Sequence, residues 1–185
     1  MGVLILDRLK DYLKITDESQ DGILQNIVDA TNKQVESYCN RIFDSATLTD
    51  EEYDGTDSTE LWLKRTPVTA LSAVKYGYSP SISTLDASNY KWTDSGRLYS
   101  ISGIIFEIHV NWWKITYTGG YTGKTMPPDL VWAGCKMAAL DYKEADSGRI
   151  GLTSKTVGGQ VVESYLKELP TEVKHVLNFY RRILT

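Results

Sequence analysis

Apolar side chains recur at helical spacing near both ends of the chain and alternate in short runs through its middle. Leu4, Ile5, Leu6, Leu9, Tyr12 and Leu13 predict a short helix over residues 4–14. Thr16-Asp17 then offers an N-cap, with Gln20 three residues after Asp17 where a capping-box partner belongs. From there Ile23, Leu24, Ile27, Val28, Thr31, Val35 and Tyr38 keep one face apolar to about Cys39. Asn40 predicts the stop, since asparagine tolerates the left-handed conformation that closes a helix.

From residue 46 to 122 the texture changes to Thr, Tyr, Trp, Val and Ile punctuated by Gly, Asp, Asn and Ser, which suits short strands joined by turns. Leu61 and Leu63 alternate with Trp62 and Lys64 until Pro67 ends the run, and Val74–Tyr78 predicts a second strand. Tyr90, Trp92 and Arg97–Tyr99 flank an Asp94-Ser95-Gly96 turn. Phe106–Val110 and Lys114–Thr118 complete the set, closed by Gly119-Gly120. Trp112 and Trp113 are adjacent, so on a strand their rings point to opposite faces, one into the core and one outward or into an interface.

Pro127-Pro128-Asp129 opens a further helix, with proline where a missing N–H costs nothing. Leu130, Gly134, Met137 and Ala138 follow at helical spacing, Asp141 interrupts the stripe, and Asp146-Ser147-Gly148 stops it. Residues 150–166 predict a hairpin, Leu152–Val157 and Gln160–Tyr165 about a Gly158-Gly159 turn. Leu169-Pro170-Thr171-Glu172 starts a last helix with Val173, Val176, Leu177, Tyr180 and Ile183 on one face.

Composition narrows the function. The chain has 185 residues, 20 Lys+Arg against 24 Asp+Glu, and a net charge of −4. No segment concentrates positive charge: residues 127–185 carry 8 basic and 7 acidic groups, so no part reads as a nucleic-acid-gripping tail. No apolar run reaches the ~18–20 residues needed to span a bilayer. The opening Met-Gly-Val-Leu-Ile-Leu-Asp-Arg has no basic n-region, and Leu6 stands where a myristoylation signal wants Ser or Thr. Cys39 and Cys135 lack any C-x-x-C partner, so both are expected to be buried thiols in a soluble intracellular chain.

The chemical motifs fail on spacing. Gly119-Gly120-Tyr121-Thr122-Gly123-Lys124-Thr125 resembles a phosphate loop, but Gly119 stands one residue too close to Gly123-Lys124, and Pro127-Pro128 replaces the amides that should face a phosphate. Asp50, Glu52, Asp54 and Gly55 mimic half of a calcium loop, whose twelfth position is Leu61 where a bidentate Glu is required. His109 and His175 have no metal-spaced partner. No nucleophile signature is present. The expectation is therefore no catalytic residue, no metal and no cofactor. The Trp- and Tyr-rich middle leaves one other class open: a monomeric module that binds glycan or peptide.

Read in order, several segments resemble the head–tail connector (adaptor) family of long-tailed bacteriophages and prophages. They are Leu9–Ile15 with Asp17 and Asp21; Val35-Glu36-Ser37-Tyr38-Cys39-Asn40-Arg41-Ile42-Phe43; Tyr53-Asp54-Gly55; and Leu61-Trp62-Leu63-Lys64-Arg65-Thr66-Pro67-Val68. Ile115-Thr116-Tyr117-Thr118-Gly119-Gly120-Tyr121, Pro127-Pro128-Asp129-Leu130, Leu169-Pro170 and Tyr180-Arg181-Arg182 continue the series. The resemblance implies an α+β fold, a helical bundle from N- and C-terminal helices with an inserted β-rich lobe. Boundaries are expected at 1–45, 46–126 and 127–185, in one structural unit.

It further implies a structural protein of the virion neck, assembled in the host cytoplasm. Such adaptors form a homo-oligomeric ring, typically dodecameric, between the portal protein and a downstream stopper or tail protein. DNA passes through the ring without sequence-specific binding, and no membrane is involved. A ring is built from heterologous contacts, one surface meeting a different one. Candidate means are the small residues Ala133, Gly134, Ala138 and Ala139 and the hairpin residues Lys155, Val157, Gln160, Val162 and Tyr165. Tyr180, Arg181 and Arg182 are candidates for the portal contact, because adaptors of this family often present the C-terminal end there. Mild acidity suits a conduit, since fixed basic side chains on its wall would hold phosphates back.

Overall fold

The computed structural model describes residues 2–146, 154–157, 160–164 and 169–182, with the backbone alone for 146, 154–157 and 160–164. It resolves into two compact units, one from residues 1–41 and 125–185, the other from residues 42–124. Helices α1 (Leu6–Leu13), α2 (Asp21–Cys39), α3 (Pro128–Asp146) and α4 (Thr171–Tyr180) belong to the first. Strands β1–β7 make up the second, which gives the α+β class the sequence predicts.

In the helical unit, Leu4, Leu9, Leu24, Val28, Cys135 and Ala138 form a core that joins α1, α2 and α3. Asn32 pins the N-terminal segment onto α2: its carboxamide accepts the Leu4 N–H at 2.8 Å and donates to the Leu4 carbonyl at 2.9 Å. The two ends of α2 differ from each other in how well the sequence foretells them. Asn40 closes the helix in the left-handed region at φ 48°, as its chemistry predicts. The start is three residues later than the Asp17 cap implies, because the Asp17 carboxylate accepts the backbone N–H of Ser19 in a local turn. α4 is tied down by the Tyr38 hydroxyl, which donates to Asn178 Oδ1 at 3.0 Å, and by the Tyr180 hydroxyl on the Asp129 carboxylate.

In the β unit, β7 (Trp113–Gly119) lies between β1 (Ala46–Tyr53) and β3 (Val68–Tyr76), with β4 (Ser83–Thr84) at the far edge of β3, all antiparallel. A second antiparallel sheet orders β2 (Glu60–Trp62), β6 (Arg97–Ser100) and β5 (Tyr90–Trp92). Strict alternation places Trp113, Ile115 and Tyr117 of β7 inward, where both sheets contribute to one core with Tyr53, Leu61, Val74, Leu98 and Phe106. Trp112 precedes the strand, and both rings pack at the same core, Trp113 within it and Trp112 against it. Trp113 packs edge-on to Phe106 in the core, while half-buried Trp112 meets Tyr78 at 4.8 Å between ring centroids.

Two expectations for this unit need correcting. β3 is longer than the predicted Val74–Tyr78, starting directly after Pro67. Phe106–Val110 does not form a regular strand: a bridge links Phe106 to Ser58, and the Asp57 and Gly55 N–H groups donate to Phe106 O and His109 O. In the helical unit's sequence, β8 (Ser154–Val157) and β9 (Gln160–Ser164) pair antiparallel as the expected hairpin.

Candidate interaction surfaces

The charged residues that imitate chemical motifs have structural partners. Asp50 sits in a β1 bulge at φ 52°, where its backbone N–H donates to Thr116 Oγ1 and its carboxylate takes Lys75 Nζ at 2.9 and 3.1 Å. The ammonium holds the Asp50 carboxyl below its usual range. Glu52 pairs with Lys114 at 3.4 Å, and Asp54 accepts the Asn111 N–H at 2.7 Å. The calcium-loop resemblance therefore dissolves into a strand. Among the described residues, no cluster of three His, Cys, Asp or Glu side chains is placed to hold a metal.

The glycine run at the end of β7 is a crossing of chain segments. A Cβ on Gly120 (φ +100°) would stand 2.3 Å from the Asp44 carbonyl oxygen, and the Gly120 N–H donates to Pro67 O. Tyr121 N–H reaches Phe43 O at 2.7 Å, and Ser45 N–H reaches Tyr121 O at 2.9 Å. These glycines serve close backbone approach, with no phosphate required.

Beside them lies the most connected polar cluster of the β unit. Tyr117 donates its hydroxyl to Glu51 Oε2 at 2.8 Å, and Tyr53 donates to the same oxygen. In turn the two phenol oxygens accept successive backbone amides, Lys64 N–H on Tyr53 and Arg65 N–H on Tyr117, each at 3.0 Å. Burial, and then the hydrogen bond to Glu51, push the Tyr53 phenol far above its ordinary range. Tyr117 is pushed up to about 12, with burial again the main cause. This cluster fixes the chain just past β2.

Aromatic side chains supply core more than surface. Tyr53, Tyr90, Phe106, Trp113 and Tyr117 are buried, so their rings are withheld from any glycan or peptide. The stripe of small residues has a similar fate. Ala133, Gly134, Ala138 and Ala139 are all buried within the helical unit, and a Cβ on Gly134 would stand 3.5 Å from Leu4 Cβ and 3.7 Å from Val3 Cγ1. Their small size admits the N-terminal segment of the same chain. As candidates for a subunit contact they are corrected to intramolecular packing.

The C-terminal candidates gather at the carbonyl end of α2. Arg182 N–H donates to Cys39 O at 2.8 Å, and the Arg181 guanidinium lies 5.8 Å from the Tyr38 ring centroid. Arg41 follows the α2 cap, so Arg41 and Arg181 both act near Cys39, where the helix dipole favours cations. Burial raises the Cys39 thiol to about 11 despite the Arg41 and Arg181 charges. Tyr180 is half-buried on Asp129, and Arg181 is exposed. Of the hairpin candidates, Lys155, Val157, Gln160 and Val162 lie on β8 and β9 by their backbone, and Tyr165 lies outside the described residues.

Two apolar surfaces escaped the sequence reading. Phe179 is 75% exposed on α4, edge-on to His175 at 4.9 Å. Its position off the apolar stripe of that helix was the available signal. At one end of the β unit, Ile108 and Val110 are 67% and 68% exposed, in the segment expected to be a strand. Exposed Tyr78 adjoins them, its hydroxyl donating to Val110 O at 2.7 Å.

Comparison with known proteins bears on what such surfaces meet. The family model "HCP: Head completion protein" matches residues 3–183. Among solved structures, a chain of "Neck of empty GTA particle computed with C6 symmetry" superposes with a TM-score of 0.59 at 16% identity, covering 99% of this chain and 91% of that one. One from "Virion of native gene transfer agent (GTA) particle" gives 0.60 at 15% identity, with coverages of 99% and 91%. A third, from "Neck of native GTA particle computed with C12 symmetry", gives 0.54 at 15%, with 97% and 92%. No curated protein matches the chain.

Proposed function

The chain belongs to the head completion protein family, and from that premise we propose that it is a structural protein of the virion neck. It acts there as a head–tail adaptor, forming a homo-oligomeric ring between portal and tail or stopper and extending the DNA channel. The observation that carries this reading is the family match over residues 3–183. Solved chains of the same fold occur in particle necks computed with sixfold and twelvefold symmetry, which supports a ring. The work is assembly and not catalysis: Asp50, Glu51 and Glu52 are engaged in holding strands together.

Each end of the ring wall then has a task. The C-terminal end, with Tyr180, Arg181 and Arg182 at the close of α2, faces the portal, where exposed Arg181 and Phe179 offer a cationic and an apolar contact. The β8–β9 hairpin, with Lys155, Val157, Gln160, Val162 and Tyr165, reaches a neighbouring subunit. A net charge of −4 lets DNA run past without being held.

Binding of the purified chain to the candidate portal, compared with an Arg181→Ala/Arg182→Ala double variant, tests this reading. The wild type is expected to bind, and the double variant to bind about tenfold or more weakly. A wild type that ignores the portal contradicts the function. A double variant that binds like wild type removes the C-terminal end from the contact.

A further inference from the structure

Strand β2 (Glu60–Trp62) stands at the edge of the three-stranded sheet, with no further strand beyond it among the described residues. Ser100 N–H donates to Thr59 O and Leu63 N–H to Gly96 O, so the odd-numbered positions 59, 61 and 63 bond to β6. The positions between them turn the other way in an antiparallel pair. Glu60 and Trp62 therefore present their backbone N–H and C=O along the open edge. Such an edge is a template on which another strand can form. The Trp62 ring, 54% exposed, places apolar surface beside it.

The chain's own side chains occupy half of that edge. Thr56 Oγ1 donates to Glu60 O at 2.6 Å, and Ser58 Oγ donates to the same oxygen at 2.9 Å. Ser58 Oγ also accepts the Glu60 N–H at 3.1 Å. Both outward backbone groups of Glu60 are thus taken. The segment that carries the hydroxyls is itself anchored, because Phe106 N–H donates to Ser58 O and Asp57 N–H to Phe106 O, each at 2.8 Å. On the sheet's outer face the Glu60 carboxylate accepts Arg97 Nε at 2.8 Å, which fixes the residue from its side-chain end as well. Thr56 and Ser58 are exposed, so no core packing accounts for their hydroxyls.

We infer that Thr56 and Ser58 act as a hydroxyl clip that closes the β2 edge against strand addition by a second copy of this chain. An incoming strand needs the N–H and C=O of both Glu60 and Trp62 to begin a ladder. With Glu60 engaged it finds one open residue, and a single residue does not hold a strand. Natural sheets blunt their edges by such devices, commonly with charge, proline or a bulge; here hydrogen-bonding side chains two and four residues upstream do the work. The clip keeps identical chains from joining edge to edge, whichever surfaces join them in an assembly. It holds whether or not the chain forms a ring.

Thr56→Val/Ser58→Ala removes both hydroxyls and leaves the backbone bonds to Phe106 in place. Sedimentation of the purified chain over a concentration series is expected to show self-association about tenfold or more tighter than wild type, the change that two freed backbone groups can supply. In the associated variant the Glu60 and Trp62 amide protons are expected to exchange slowly, as members of a ladder. Thr56→Ser/Ser58→Thr keeps both hydroxyls and is expected to match the wild type. A double variant lacking the hydroxyls that stays as dispersed as wild type overturns the inference. So does one that associates while Trp62 N–H exchanges freely, or association of the variant that keeps the hydroxyls. The wild type gives a reading that depends on no variant's folding: Glu60 N–H, held by Ser58, is expected to exchange about tenfold or more slowly than Trp62 N–H. Equal rates overturn the clip directly.

Discussion

Asp141 is a carboxylate that burial works against. It lies half-buried late in α3, and desolvation, aided by the Glu144 charge one turn on, holds its pKa above the ordinary value. An acid whose folded pKa is raised binds its proton more tightly in the native state, so it subtracts stability above that pKa and subtracts nothing below the unfolded value. Asp141→Asn is therefore expected to raise Tm at pH 7, with the gain shrinking as the pH falls toward about 4. Thermal melts of both proteins between those pH values decide it, and a gain that persists unchanged at low pH would contradict this cause. Asp50 shows the opposite arrangement, because Lys75 and Thr116 stabilise its charged form and hold its pKa down. Sequence position alone separates neither case. Asp141 is legible only as a break in an apolar stripe, and the partners of Asp50 arrive from β3 and β7.

At the scale of elements, the Tyr53–Tyr117–Glu51 cluster joins β1, β7 and the segment after β2 through one carboxylate. Tyr117→Phe removes a fully buried hydroxyl, leaving Arg65 N–H without its acceptor and Glu51 short of a donor. The expected cost is about 1–3 kcal/mol in urea unfolding followed by Trp fluorescence; a loss below a few tenths would show that the network is idle. Such a cluster cannot be read from the sequence, since Tyr117 stands 66 residues from Glu51 and meets it only once the sheet has formed. What periodicity does carry is the long helix to Asn40, the inward side of Trp113-Lys114-Ile115-Thr116-Tyr117, and the pairing of β8 with β9. Its failures share a cause. Asp17 found a nearer partner in Ser19 than the helix it was expected to cap, and Gly134 and Ala138 met the chain's own N-terminal segment. Phe106–Val110 has the composition of a strand, but its neighbour, residues 55–58, meets it through one bridge and a few hydrogen bonds in place of a regular ladder. Pattern reports what a segment can do, and tertiary partners decide whether it does so.

For the whole molecule, the chain carries a helical unit and a β unit, each with its own core, in a family whose task is to complete a head. Among the described residues, Phe179 on α4 and Ile108 and Val110 of the β unit are the most exposed large apolar side chains. That is the pattern expected of a protein whose activity is to be assembled. The order of segments along the chain made the adaptor resemblance legible, while the surfaces that would build a ring stayed hidden until exposure could be read residue by residue. The proposed function is tested most directly by mixing the purified chain with its candidate portal and imaging the product. The account predicts a closed ring of this chain stacked coaxially on the portal, with an open channel on the axis. A chain that binds the portal without forming a ring, or that stays apart from it, would contradict the account.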